Sequence, residues 1–138
     1  MSLELGSLEK AIEALGRSLR VIEAESDSAN SDLIETLRAG VVQNFEVAYE
    51  QSWKMMKRWL EANVGSVEVD GVTRRQLFRL CHESRLIDDV DAWMGFHKSR
   101  NETSHTYDAE TADDVFNMAK VFLPAATDVL SRIAARND

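Results

Sequence analysis

The chain has 138 residues, of which 44% are hydrophobic and 29% are charged, and it contains 6 Gly and 1 Pro. These proportions are typical of one helical globular domain over residues 1–138, and they argue against β-rich and disordered classes. The net charge of −8 argues against a broad nucleic-acid-binding surface, because phosphate binding draws on clustered Lys and Arg, so any RNA contact must be local.

The cysteine content and the N-terminal residues indicate the compartment. Cys81 is the only cysteine, which excludes both an intramolecular disulfide and a Cys-x-x-Cys zinc site. The opening MSLELGSLEK lacks the basic start and apolar run of a secretory signal. No segment approaches the roughly 20 apolar residues of a membrane span. We therefore expect a cytoplasmic protein without membrane association.

Two helices are predicted before residue 65. The first runs from about Ser7 to Glu25, and its apolar positions recur at alternating spacings of three and four: Leu8, Ile12, Leu15, Leu19 and Ile22. The second begins near Asp32 and ends before Gly65, a plausible C-terminal stop. It has a seam of Leu37, Val41, Phe45, Ala48, Ser52, Met55 and Trp59, and a second apolar edge of Tyr49, Trp53, Met56 and Leu60. The second edge predicts contacts with several helices or with a second subunit.

Shorter elements are predicted in the middle of the chain. The segment SVEVDGV favours an irregular loop over a small hairpin. Thr73 and Gln76 have the spacing of a capping box, which predicts that a short helix begins there. Asp88 or Asp89 can cap the next helix, which has Val90, Trp93 and Met94 on its buried side.

The last helix is predicted to begin at Thr111, with Asp113 and Asp114 complementing the helix dipole in its first turn. Pro124 interrupts its pattern and predicts a kink. The seam of this helix is Val115, Ala119, Phe122, Ala126, Val129 and Ile133. We therefore expect an all-α up-down bundle of about five helices with short loops, of the four-helix-bundle type.

A polar segment, FHKSRNETSHTYD, follows the fourth predicted helix. Arg100 and His105 are five residues apart, so they cannot share a face of one continuous helix, whereas His97, Asn101 and His105 lie four apart on one stripe. Either the helix ends between Arg100 and His105 or the arginine reaches round. Ordinary cap and turn residues also occur here: Asn101, Thr103, Ser104 and Asp108. Their chemistry supports a purely structural role about as well as a functional one.

The combination of arginine and histidine suits phosphodiester chemistry. A histidine titrates near neutral pH and can take a proton from a ribose hydroxyl, while a guanidinium forks onto phosphate oxygens. No metal is required. One histidine per chain supplies an acid or a base but not both, and a two-fold dimer would provide the second.

Three segments in this order, QNFEVAYEQSWKMMKRWLE, RLIDDVDAW and RNETSHTYD, resemble the nucleotidyltransferase substrate-binding family, a branch of the HEPN superfamily of helical domains. The resemblance spans roughly Leu8 to Ile133. Arg100 to Tyr107 resembles the superfamily signature of an arginine, a short polar gap, a histidine, one residue and a tyrosine.

The resemblance implies a HEPN-like bundle that forms a homodimer about a cleft containing this motif. It also implies a partner, a minimal nucleotidyltransferase encoded nearby, which acts as antitoxin to a metal-independent ribonuclease toxin. Arg100 would hold the scissile phosphate of RNA, His105 would act as acid or base, and Tyr107 would receive adenylate from ATP. The supporting or substrate-binding residues would be His97, Asn101, Ser104 and Asp108. The alternative is a non-catalytic subunit that binds substrate or nucleotide for the nucleotidyltransferase.

Other side-chain groups have alternative interpretations. Histidines and acidic residues at 82, 83, 97, 102, 105 and 108 lack zinc-protease spacing, so we expect no metal and no cofactor. Arg74, Arg75, Arg79 and Arg85 form a basic strip that could steer RNA, although a solvated face is favoured. For Trp53, Met55, Met56 and Trp59, core or dimer packing is favoured over a ligand pocket. Glu46 and Glu50 suit surface ion pairs with Lys54 and Lys57, or contacts with the partner.

Overall fold

The computed structural model describes residues 2–105 and 108–138, and within them the secondary structure is entirely helical. The elements are α1 (Gly6–Ala24), α2 (Ser31–Asn63), α3 (Ser66–Val69), α4 (Arg74–Glu83), α5 (Val90–Asn101), the 3₁₀ turn η1 (Thr103–His105) and α6 (Ala109–Ala135). None of the described helices is both long enough and apolar enough to cross a membrane.

The described residues form six α-helices, more than the roughly five predicted and more than the four of a simple four-helix bundle. The additional element is α3, a single turn in the segment predicted as an irregular loop. Val69 is fully buried and anchors this turn. Gly65 and Gly71 bracket it with φ of 131° and 73°, values that favour glycine. The predicted stop at Gly65 is confirmed, since α2 ends at Asn63.

Helix α2 is the central helix of the fold, and it packs against α1, α3, α4, α5 and α6. Its predicted apolar edges are buried apart from Leu37 and Trp53, which are half-buried, and its contacts with five helices confirm the prediction of several neighbours. From the seam, Val41, Phe45 and Ala48 are fully inaccessible, and from the second edge Tyr49 and Leu60 are as well. Because its two apolar edges face in different directions, α2 has other helices packed on both sides of it.

The predicted seams of α1 and α6 are also confirmed, apart from Leu19, which is half-buried. Phe122 of α6 lies at the centre of an aromatic cluster. Its ring centroid is 5.2 Å from Phe45 of α2, and 5.6 Å and 5.1 Å from Trp93 and Phe96 of α5. All three contacts are edge-to-face, the arrangement that the ring quadrupole favours. The cluster joins α2, α5 and α6, and it includes Phe96, the first residue of the polar segment.

Two of the predicted helix starts are confirmed. Thr73 and Gln76 form the reciprocal capping box of α4, with hydrogen bonds of 3.2 Å and 2.8 Å. Asp89, rather than Asp88, caps α5 by accepting from the Ala92 amide at 3.0 Å. Both caps are interactions within three residues, so they could be predicted from the sequence.

The predicted start of α6 at Thr111 is wrong. The cap is Asp108, whose Oδ1 accepts from the Glu110 amide at 3.2 Å. Thr111 lies within the first turn, and its hydroxyl donates to Asp108 Oδ2 at 3.3 Å. The carboxylate three residues upstream therefore takes the capping position. Helix α6 continues through Pro124 to Ala135, and the kink expected at Pro124 stays a prediction.

Gly40 is a point of low helix propensity within α2. A Cβ atom at this position would meet nothing within 4 Å, so the substitution Gly40→Ala is expected to raise the free energy of unfolding by about 1 kcal/mol. Urea denaturation followed by circular dichroism measures the change. The substitution Ala39→Gly, at the exposed neighbouring position, is the control and should lower stability by about the same amount. Destabilisation by Gly40→Ala would show that another chain covers this face.

Candidate functional site

Arg100 lies in the last turn of α5 and points across it towards α2. Its Nη1 is 3.5 Å from Glu46 Oε2, and its Nε is 3.4 Å from Glu50 Oε1. Nε is buried and makes no hydrogen bond, so its interaction with Glu50 is an ion pair without hydrogen-bond geometry. The three side chains are each about one-third exposed, so solvent screens the attraction. The two carboxylates therefore orient the guanidinium more than they stabilise the fold.

Thr103 connects Arg100 to the turn that follows. Its hydroxyl accepts from Arg100 Nη1 at 3.0 Å and donates to the Arg100 carbonyl at 2.8 Å. The predicted cap-and-turn role of Thr103 is confirmed, because the hydroxyl satisfies a carbonyl at the C-terminal end of α5. The helix ends at Asn101, between Arg100 and His105, which is one of the two arrangements predicted from their spacing.

Glu46 and Glu50 share a partner that was not predicted, Arg100. Glu50 does lie 4.0 Å from Lys54, as expected, but both carboxylates are closer to Arg100. The Trp53 indole N–H also donates to Glu50 Oε2 at 3.0 Å, which fixes the carboxylate in place. The sequence carried one signal of this site: two glutamates four residues apart in a segment that resembles the family.

A second polar cluster adjoins Arg100 and begins with Arg74, the first residue of α4. The Arg74 guanidinium stacks over the Trp53 ring, 3.6 Å from its centroid, and its Nη1 donates to the Tyr49 hydroxyl at 2.9 Å. Nη1 is also 3.5 Å from His97 Nδ1. Arg74 was predicted only as part of a basic strip, because nothing in the local sequence links it to α2 or α5.

His97 is tied to this cluster through Nδ1. Its Nδ1 is 2.9 Å from the Tyr49 hydroxyl. An arginine can only donate, so the Tyr49 hydroxyl accepts from Arg74, and it shares one hydrogen bond with His97 Nδ1. Burial, and then the positive charge of Arg74, lower the pKa of His97. Burial also raises the pKa of Tyr49 to about 12. Both groups are therefore neutral at pH 7.

Asn101 lies beside His97 on the exposed side of α5, and its side-chain amide is 3.4 Å from His97 Nε2. The amide atom that faces the ring is Nδ2, which donates to Nε2 when the ring hydrogen lies on Nδ1. His97 and Asn101, the first two residues of the predicted stripe on α5, are therefore in contact. The backbone of His105, its third member, ends η1. The His105 side chain, Thr106 and Tyr107 lie outside the described part of the structure.

The two remaining predicted site residues are exposed. Ser104 is in η1, and Asp108 caps α6. The described geometry thus gives Asp108 a structural role. Among the residues described, no three His, Cys, Asp or Glu side chains converge as they would around a metal ion.

The two other predicted clusters are resolved by packing. Met55, Met56 and Trp59 are buried in the core, which confirms the packing interpretation for these three. Trp53 is half-buried and instead contacts Arg74 and Glu50. Arg85, predicted as part of the basic strip, has φ of 62°, and its carbonyl accepts from Arg132 and Arg136 of α6 at 3.2 Å and 2.9 Å. It therefore belongs to the connection between α4 and α5.

Comparison with known proteins gives consistent results. Residues 3–135 match the family described as "Nucleotidyltransferase substrate binding protein like". A Haemophilus influenzae (strain Rd) protein named "Probable ribonuclease HepT" is 33% identical over 138 residues, covering 98% of this chain and 94% of the relative.

Two solved structures share the fold. One, from Haemophilus influenzae, is described as the fold of a substrate-binding domain of a nucleotidyltransferase. It has a TM-score of 0.90 and 31% identity, and the match covers 95% of this chain and 99% of that chain. A Thermus thermophilus protein has a TM-score of 0.64 at 22% identity, covering 86% of this chain and 98% of that chain, and this likeness concerns the fold alone. The chain therefore belongs to the nucleotidyltransferase substrate-binding protein family.

Proposed function

We propose that the chain is a HEPN-type toxin subunit that cleaves RNA without a metal and is paired with a minimal nucleotidyltransferase antitoxin encoded nearby. The observation that carries the proposal is the placement of Arg100, held by Glu46 and Glu50 at the end of α5, immediately before the turn that contains His105. The name of the Haemophilus relative, "Probable ribonuclease HepT", supports the same activity.

The proposed reaction needs one cation and two proton-transfer groups. Arg100 contacts Glu50 through Nε and Glu46 through Nη1. Nη2 is therefore the guanidinium nitrogen that can donate to a phosphate oxygen. His105 takes the proton of the ribose 2′-hydroxyl as the oxygen attacks phosphorus, and the bond to the 5′-oxygen breaks. The leaving oxygen takes a proton from a second histidine. The products are a 2′,3′-cyclic phosphate and a 5′-hydroxyl.

A homodimer would supply the second histidine. Each chain brings one Arg100 and one His105, and a two-fold axis beside η1 would place both pairs in one cleft. Phe122 packs against Trp93 and Phe96 of α5, the helix that carries Arg100. The proposal is tested by RNA cleavage in EDTA, comparing the partner-free wild-type protein with His105→Ala.

Tyr107 is the proposed target of the antitoxin. Incubation with the active nucleotidyltransferase and ATP should add one adenylate, because a tyrosine oxygen two residues from His105 can attack the α-phosphate of ATP and release pyrophosphate. Intact mass spectrometry measures the modification. Tyr107→Phe should remain unmodified. Tyr49→Phe is the control, since it removes the other tyrosine, which is fully buried, and this variant should still gain one adenylate. An unmodified wild-type chain beside a demonstrably active partner would contradict the proposal.

A second candidate function is a non-catalytic subunit that presents substrate or nucleotide to the nucleotidyltransferase. Two observations favour it: Glu46 and Glu50 already neutralise Arg100, and a solved relative is described as a substrate-binding domain. This candidate predicts a stable complex of the two proteins and no nuclease activity in the isolated chain. Failure of the two proteins to co-purify after joint expression would count against it.

A further inference from the structure

We propose that Arg74, His97 and Asn101 form a second phosphate subsite, which binds the phosphodiester next to the one held by Arg100. This inference rests on the proposed function, since it concerns where an RNA strand lies on the same surface. The ligand is a phosphate group, and its source is the RNA backbone rather than a free nucleotide.

The first argument is the unbalanced charge of Arg74. Within residues 2–105 and 108–138, no carboxylate lies within ion-pairing distance of its guanidinium. Its contacts are instead the neutral Tyr49 hydroxyl, the neutral His97 ring and the face of Trp53. Acidic residues outnumber basic ones in this chain, 24 to 16. Arg136 is also half-buried without a carboxylate partner, but it donates to three backbone carbonyls. Arg74 has no such set of carbonyls, so its positive charge is left for an anion to balance.

The second argument is that Arg74 is held in a fixed orientation. Stacking on Trp53 at 3.6 Å and the 2.9 Å hydrogen bond to Tyr49 restrict the guanidinium in two directions. Tyr49 is itself fully buried in the core. A cation held in this way loses little side-chain entropy when it binds a phosphate, in contrast to a flexible surface lysine or arginine.

The third argument is the set of hydrogen-bond donors beside Arg74. Tyr49 occupies His97 Nδ1, so Nε2 is the ring nitrogen that faces the exposed Asn101. A phosphate oxygen at this edge can accept from Asn101 Nδ2 and, when the ring hydrogen is on Nε2, from the imidazole as well. Guanidinium, imidazole N–H and amide N–H are all groups that commonly contact nucleic-acid phosphates.

The fourth argument is the position of the cluster relative to Arg100. His97 precedes Arg100 by three residues on α5, so the two side chains lie within one helical turn of each other. Trp53 joins the two sites, because its ring supports Arg74 while its N–H fixes the Glu50 carboxylate that pairs with Arg100. Two phosphate sites one helical turn apart suit consecutive phosphates of one strand.

The test is equilibrium binding of 2′-O-methyl oligonucleotides, which cannot be cleaved because the nucleophilic hydroxyl is blocked. A tetranucleotide would span both subsites, whereas a dinucleotide has a single phosphate, which should occupy the Arg100 site. Arg74→Gln is expected to weaken tetranucleotide binding about fivefold to tenfold. It should also reduce the slope of log K against log salt concentration by about 0.7, the value for one phosphate contact in single strands. Dinucleotide binding should change less than twofold.

Arg79→Gln is the matched control, since it removes the same charge from an exposed position of the same helix. It should leave tetranucleotide binding within twofold of wild type. Arg74→Lys keeps the charge and should retain the salt dependence of tetranucleotide binding. Loss of the stacked guanidinium lowers the stability of this variant, and a thermal melt measures that change. Equal losses in Arg74→Gln and Arg79→Gln, or no loss in either, would overturn the subsite.

A parallel titration with ATP separates the two sources of phosphate. Weaker ATP binding by Arg74→Gln, together with unchanged tetranucleotide binding, would overturn the assignment to RNA and give the subsite to a free nucleotide. If the wild-type protein binds neither oligonucleotide, the proposed ribonuclease function fails together with this inference. If it binds both oligonucleotides and Arg74→Gln binds them equally well, only the subsite fails.

Discussion

Replacing His105 by alanine is expected to lower the rate of RNA cleavage by the partner-free protein by about 100-fold to 10 000-fold, the usual contribution of a positioned acid or base. The imidazole is the group in the polar segment that can both take and return a proton near neutral pH. Cleavage of a defined RNA would be followed in EDTA, so that contaminating metal-dependent nucleases remain silent. Arg100→Ala should lower the rate as well, because the guanidinium that meets the developing phosphate charge is lost.

The control is His82→Ala, which makes the same change at an exposed position of α4 and should cleave as the wild type does. All variants would be purified identically, and sedimentation would establish their oligomeric state. Equal cleavage by wild type and His105→Ala would identify the activity as a contaminant and refute the ribonuclease proposal. No cleavage by a folded, dimeric wild-type protein would shift the assignment to the non-catalytic binding subunit.

Replacing Phe122 by alanine is expected to lower the free energy of unfolding by about 3–5 kcal/mol. The side chain is completely buried, and its ring contacts Phe45, Trp93 and Phe96 from two other helices. Large aromatic-to-alanine changes lose the burial of the ring and leave a cavity, and three surrounding aromatic rings cannot easily collapse into it. Urea denaturation monitored by tryptophan fluorescence measures the loss, since Trp93 lies against the deleted ring.

Val121→Ala is the control for this substitution, because Val121 is the preceding residue of α6 and is 59% exposed. Its effect should stay within about 0.5 kcal/mol, as for most surface changes. A loss below about 1 kcal/mol for Phe122→Ala would mean that the neighbouring rings refill the space. The aromatic cluster would then not be what holds α5 against α2 and α6.

Most of the helical framework could be predicted from the chain because its signals are local. The seam of α6 recurs every three or four residues, and every predicted seam position of that helix is buried. The Thr73–Gln76 capping box and the Asp89 cap act over three residues. The error at α6 was also a local competition, in which Asp108 replaced Thr111 as the cap. The error at α3 was not local, since Val69 is buried by packing of that turn against α2.

The candidate site was only partly predictable. Arg100, His97 and Asn101 could be named from their types and spacing, because α5 sets their relative positions over one or two turns. Their partners could not be named. Glu46 and Glu50 reach Arg100, and Tyr49 reaches His97, across about 50 residues of sequence.

Hydrophobic periodicity and caps specify where each helix lies along the chain, since they depend on neighbours within four residues. Which polar faces meet depends on the packing of α2 against α4 and α5, and short-range patterns do not encode that packing. Arg74 shows the difference most clearly. In the sequence it is one arginine of a basic strip, and in the fold it is a cation held on Trp53 and Tyr49 beside the arginine and histidine motif.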